Sequence, residues 1–298
     1  MKNFSRRDFL GAAALGTGAA MLPSVLSASN ASLSSVPTEK NTEPLKIGLM
    51  SWLMGSQWDL DTVIKNCTET KYLHAELRTT HGHGIEVSLN KSQRQEIKKK
   101  IADSALEAIS LASEFMFHFP DKNELRWHIE GTKVFLQLAA DVGAIGIRVF
   151  PNDLPDGIPE EKTMEQIGKS LAEVAKVGHD LGVDVRVCNH GRKTNQPHVI
   201  KKIIDYSQSP HVYINWNCDR AELREAGFYE NFKMLKDRIK GIHLKELYVD
   251  YPYRELFRLL KENGYKGYCN MEVGRISCEP IEFMKYYRAL FLAYQNVI

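Results

Sequence analysis

Two short stretches hold the residues best suited to chemistry. Gly241-Ile242-His243-Leu244-Lys245 is an apolar run that ends in an imidazole and an ammonium. Gly264-Tyr265-Lys266-Gly267-Tyr268-Cys269-Asn270-Met271-Glu272 follows about one strand–helix unit later and ends in a carboxylate. A neutral imidazole and a carboxylate brought to one place are half of a divalent-metal site. Lys245 follows His243 by two residues and therefore shares its face if the run is a strand.

Other polar groups close apolar runs further upstream. Arg78, His81 and His83 follow the second run, His118 the third, Arg148 lies in the fourth, Cys188 and His190 end the fifth, and Asn217 ends the sixth. Arg78 and Arg148 can grip hydroxyl or carboxylate oxygens with two parallel hydrogen bonds, or be paired inside the protein. His81, His83 and His118 can line a site or be ordinary loop histidines. His190, just before Gly191, can equally bond its own turn, and Cys188 can be a small buried hydrophobe. Trp52 and Trp58 can stack on a sugar ring or fill the core. Trp216 alternates with Asn215 and Asn217, which places it on the opposite, helix-covered face.

The runs that must position these groups alternate regularly with helical patterns. Strands are predicted at Lys46–Ser51, Leu73–Arg78, Ala108–Ser113, Gly146–Phe150, Val183–Cys188, Val212–Trp216, Ile239–Lys245 and Tyr268–Val273. Helical spacing of apolar residues fills each interval, as with Trp127, Thr132, Phe135, Ala139 and Val142. Eight such units predict a single-domain (β/α)8 barrel, an α/β fold with all strand ends converging on one mouth. No GxGxxG turn follows the first strand, so a dinucleotide site has no support.

The chain has 298 residues with 39 basic and 37 acidic side chains. Ser5-Arg6-Arg7-Asp8-Phe9-Leu10 resembles a twin-arginine export signal, and an Ala/Gly-rich apolar run follows to about Leu26. Residues 1–31 are read as a cleaved signal peptide and 32–44 as a linker, leaving 45–298 as the barrel. The apolar run is short and broken by Pro23, so no membrane anchor is expected after cleavage. Removing Lys2, Arg6, Arg7 and Asp8 takes away three basic residues and one acidic one, leaving 36 of each. A neutral chain without a basic block argues against nucleic acid. Five cysteines without CxxC spacing argue against a disulfide framework. The expected location is the periplasm or another exported compartment, and monomer and homo-oligomer both remain open.

Several motifs in this order resemble the xylose isomerase-like TIM-barrel superfamily, the sugar phosphate isomerase/epimerase group. They are Leu77-Arg78-Thr79-Thr80-His81 with Gly82-His83-Gly84, the His190-Gly191 turn, Trp216-Asn217, Ile242-His243-Leu244-Lys245, and Gly264-Tyr265-x-Gly267 leading to Glu272. The resemblance covers about residues 45–296. It implies a divalent metal (Mn, Zn or Co) held by Glu, Asp or Asn, His and Glu at the ends of strands five to eight. Matched residue by residue, His243, Glu272 and Asn217 are kept, and Cys188 stands where the first Glu is expected. A thiolate favours softer ions than a carboxylate does. The resemblance further implies proton abstraction next to a carbonyl, with Glu272 as the base and Lys245 and His190 polarising or orienting. The expected function is an isomerase/epimerase-type reaction on an unphosphorylated sugar or keto-glycoside. The alternatives are a metal-free, non-catalytic sugar-binding barrel and a keto-glycoside lyase acting by β-elimination. An apurinic endonuclease of the same superfamily fits neither the neutral charge nor the export signal.

Overall fold

In a computed structural model, residues 43–296 are described. The expected signal peptide, residues 1–31, lies outside them, as does all of the 32–44 linker but its last two positions. Eight parallel strands close on one another in chain order: β1 Lys46–Ser51, β2 His74–Arg78, β3 Ala108–Met116, β4 Gly146–Phe150, β5 Asp184–Cys188, β6 Val212–Trp216, β7 Ile239–Leu244 and β8 Tyr268–Met271. Each strand is followed by a helix: α1 Leu60–Thr70, α2 Lys91–Ala102, α3 Lys122–Val142, α4 Glu160–Asp180, α5 Pro197–Ser207, α6 Gly227–Leu235, α7 Tyr253–Glu262 and α8 Pro280–Tyr294. The (β/α)8 expectation is met, with small differences in boundaries.

Local chemistry accounts for the helix starts. The side chains of Asp59, Asn90 and Asp121 accept from backbone N–H groups in the first turns of α1, α2 and α3. Proline opens α5 and α8, where its missing N–H costs nothing. The single helix expected after β6 is divided into a 3₁₀ turn, Arg220–Leu223, and α6. Glu225 between them and Gly227 at the start of α6 both have positive φ, which no continuous α-helix accepts.

Alternation along the strands separates two chemistries. Outward residues such as Leu49, Leu77, Ile109, Val149, Ile214 and Ile242 are completely buried beneath the helices. Inward positions are polar: His74 and Glu76, Ser110, Arg148, Arg186, Asn215, His243 and Asn270 are all buried. Glycines make room for them. A Cβ at Gly241 would lie 2.0 Å from Asn215 Oδ1, and one at Gly48 would lie 2.1 Å from Asn270 Oδ1. The barrel is therefore filled by hydrogen-bonded polar groups rather than by branched apolar residues, the usual filling of such barrels. No helix among the described residues is long and apolar enough to cross a membrane. All five cysteines are unpaired.

Candidate active site

The site is stacked in two layers at the C-terminal end of the barrel. The lower layer centres on His243 of β7 and Glu76 of β2. His243 Nε2 lies 2.9 Å from Glu76 Oε1, and both side chains are 1% exposed. Asn215 and Asn270 donate to the two Glu76 oxygens at 3.4 and 3.3 Å, and Ser110 Oγ donates at 3.4 Å. Below them, His74 Nδ1 meets Asn270 Oδ1 at 2.8 Å. Burial opposes charge on both main partners, and their mutual attraction more than offsets it. Glu76 is held down to about 2. His243 is raised to about 10 by Glu76 and, from above, by Glu272. The lower layer is thus a carboxylate–imidazolium pair.

The upper layer faces the mouth. Lys245, just past β7, donates its ammonium to both Glu272 Oε2 and Asn217 Oδ1, the latter at 3.3 Å. The backbone sets this meeting. Glu272 N–H donates to Leu244 O at 2.8 Å, and Tyr287 Oη on α8 donates to Lys245 O at 2.7 Å. Burial opposes the charge on Glu272, but His243 and Lys245 outweigh it and hold the carboxyl below its ordinary range. Lys245 is raised, because Glu272 outweighs its burial. Cys188 Sγ and Glu272 Oε2 lie 3.9 and 3.8 Å from His243 Nδ1.

The remaining expected groups lie in or just beyond other strands. Arg148 is 5% exposed and sits below the mouth, where it donates to Ser113 O at 2.9 Å. Its guanidinium lies over the Phe150 ring at 3.9 Å, and the His190 ring lies 5.0 Å from the same phenyl. Burial and the nearby Arg148 charge lower the pKa of His190, so its imidazole is neutral at pH 7. Its backbone is fixed by the turn beyond: Gly191 has φ +104, and a Cβ there would meet Asn152 O at 1.9 Å. Arg78 pairs with Glu114, and His81 Nδ1 lies 3.4 Å from Ser51 Oγ. The His118 ring lies 4.2 Å from that of Phe119, tilted by 37°.

Two expectations need correction. His83 does not line the mouth. It is buried, its Nε2 donates to Arg78 O at 2.7 Å, and its Nδ1 accepts from Ile85 N–H at 3.1 Å. Both ring nitrogens hold the loop, leaving none for a ligand. The second correction concerns the metal. Of the four expected ligands, Asn217 and Glu272 already bind the Lys245 ammonium, and His243 Nε2 is taken by Glu76. Among the described residues no three His, Cys, Asp or Glu side chains gather as a metal site. The donor set does not fit a divalent ion in this arrangement. Trp216, by contrast, lies where alternation puts it, against Phe228 and Phe232 of α6.

Three residues of the candidate site were not flagged in the sequence. Glu76 and Phe150 are inward by alternation, one from His74 and the other from Arg148, and that pattern could have flagged both. Glu222 is the third. It is fully buried and accepts from Asn189 Nδ2 at 2.5 Å, Tyr251 Oη at 2.5 Å, and the N–H groups of Asn217 and Asp219, both at 3.1 Å. Tyr251 in turn accepts from Trp216 Nε1 at 2.8 Å. Burial pushes the Glu222 carboxyl up to about 8 against these donors. This cluster ties together the loops that carry His190, Asn217 and Lys245. Its signal was the Asp219-x-x-Glu222 capping box.

Comparison with known proteins agrees with this architecture. No curated protein matches the sequence. Among solved structures, 3-keto-D-glucoside 4-epimerase (YcjR) from E. coli superposes with a TM-score of 0.71 at 15% identity, covering 84% of this chain and 99% of that one. An L-ribulose 3-epimerase gives 0.70 at 15% identity, with 85% and 95% covered. The IolI protein, solved with a bound zinc atom, gives 0.67 at 12% identity, with 84% and 98% covered. At these identities the likeness establishes the fold. The family model described as xylose isomerase-like TIM barrel matches residues 64–287, and the chain belongs to that family.

Proposed function

We propose that the protein is an isomerase/epimerase-type enzyme that moves a carbon-bound proton next to the carbonyl of an unphosphorylated sugar or keto-glycoside. The observation that carries this reading is the Lys245–Glu272 pair at the barrel mouth. It offers a carboxylate base and a cationic hydrogen-bond donor within one ligand's reach, the two things an enediolate needs. Two of the superposable structures are sugar epimerases by name, which fits a carbohydrate ligand.

The step balances with these groups. Substrate oxygen displaces one contact of the ammonium. The Glu272 carboxylate takes the proton from the carbon beside the carbonyl. The C–H pair becomes the new C=C bond, the carbonyl electrons move to oxygen, and Lys245 stabilises the developing oxyanion. Return of the proton from Glu272 to the former carbonyl carbon, while the neighbouring hydroxyl passes its proton to the oxyanion, completes isomerisation; epimerisation takes its proton from a second donor on the other face. His190, neutral and above Phe150, orients a hydroxyl, and Arg78, His81, His118 and Arg148 bound the remaining space. The resting carboxyl is a weak base because it is ion-paired, and loss of that pairing on substrate binding raises its basicity. The Arg6-Arg7 signal would place this chemistry outside the cytoplasm, where unphosphorylated sugars are the available substrates.

The test is solvent exchange. Ketoses, aldoses and 3-keto-glycosides are incubated with the protein in D₂O and followed by proton NMR. A substrate should take up deuterium at the carbon beside its carbonyl, and Glu272→Gln should slow this by a factor of ~10² or more. Turnover without exchange, or with the variant's rate near wild type, would exclude the mechanism. Accumulation of a free aglycone would instead identify the β-elimination branch.

A further inference from the structure

We infer that Lys245 takes the place of the family's divalent metal, so that the site carries a built-in cation and works without a bound ion. The inference rests on the barrel mouth being the active site, as proposed above. Three observations point to it.

The first is position. The Lys245 ammonium bonds Glu272 and Asn217, two of the groups that the family pattern assigns to the ion. Of the other two, His243 sits against the same carboxylate and Cys188 against His243: His243 Nδ1 is 3.8 Å from Glu272 Oε2 and 3.9 Å from Cys188 Sγ. Donors on one tetrahedral zinc would stand about 3.3–3.5 Å apart from the usual bond lengths. A corner only a few tenths of an ångström too wide is thus present, and its carboxylate already holds the Lys245 ammonium. The second is charge. Both carboxylates of the site are already paired, Glu76 with His243 and Glu272 with Lys245, and the Arg148 guanidinium is buried in the same interior. The family's extra carboxylate on strand five is a cysteine here. A dication added to this set would go uncompensated in a buried place. The third is anchoring. The Lys245 carbonyl is held by Tyr287, and its side chain is only partly exposed, so the ammonium is a fixed part of the site.

The experiment measures metal binding by the full-length protein, with no need for a substrate. Wild type and Lys245→Met, which keeps the apolar stem and removes the charge, are titrated with MnCl₂, CoCl₂ and ZnCl₂ by calorimetry, with thermal melts in parallel. Lys245→Ala is a second version in case the first fails to fold. The expected result is no saturable binding by wild type and binding at least ~10-fold tighter by the variant. At ~100 times Kd the variant should also melt several degrees higher. Adding Glu272→Gln to the variant should abolish the gain. Tight one-to-one binding by wild type would overturn the inference, and so would a folded variant that binds no ion. The two proposals can fail separately. Sugar turnover that requires added Mn²⁺ would keep the function and sink the substitution. A metal-indifferent protein that exchanges no sugar proton would do the reverse.

Discussion

Replacing Glu76 with glutamine removes one charge from the most deeply buried ion pair in the barrel. The partner, His243, has an ordinary pKa of 6.5 and is raised to about 10 in the fold. A raised pKa means that the folded state binds the proton more tightly. The stabilisation is therefore complete below the unfolded value and fades as pH rises through the folded one. At pH 7 the difference corresponds to about 4 kcal/mol, which agrees with the ~3–5 kcal/mol typical of breaking a buried pair. That is an upper value for Glu76→Gln, because Glu272 supplies part of the shift. For a barrel of this size it corresponds to a fall in Tm of roughly 8–16 °C. Wild type should lose thermal stability steadily between about pH 6.5 and pH 10. On the acid side Glu76, depressed from 4.5 to about 2, contributes stability above 4.5 that is lost as pH falls toward 2. In Glu76→Gln the alkaline slope should flatten, because His243 then keeps only the part of its shift that Glu272 supplies. Melting curves by circular dichroism at half-unit pH steps read both quantities. A variant within about 3 °C of wild type, with an unchanged alkaline slope, would refute the assignment of charge to this pair.

Further outcomes follow from the same geometry. Glu222→Gln keeps the shape of the loop clamp but turns an amide N–H toward groups that themselves donate, so stability should fall by about 1–3 kcal/mol and kcat should fall with it; unchanged melting and turnover would leave the cluster without a role. His83→Ala should destabilise by a similar ~1–3 kcal/mol while leaving sugar affinity in titration calorimetry unchanged, since both ring nitrogens serve the backbone. Gly241→Ala drives a methyl into Asn215 and should cost about 1–3 kcal/mol in chemical denaturation. Arg6→Lys with Arg7→Lys should retain the chain in the cytoplasm in fractionation experiments, and continued export would show that another signal operates.

The sequence by itself determined the barrel and its polarity. Eight apolar runs separated by amphipathic helices leave few other ways to bury every strand on both sides. Period-two alternation then fixes which residues face inward, which is why His243, Lys245, Glu272, Asn217 and Cys188 were legible as one set before any coordinates. Trp216 was placed outside by the same rule. What only the tertiary structure decided is which inward group meets which. Glu76 and His243 are 167 residues apart and come together because the closed sheet brings β2 across the barrel interior from β7. No local pattern encodes that distance. Register decided it again at the mouth, where the pairing of Leu244 with Met271 places the Lys245 ammonium on Glu272. A metal quartet read along the chain and a lysine-filled corner differ only in that through-space contact. His83 shows the limit from the other side, since its sequence suited a ligand and its loop consumed both nitrogens. Spacing along a strand fixes direction; closure of the barrel fixes partners, and partners set charge.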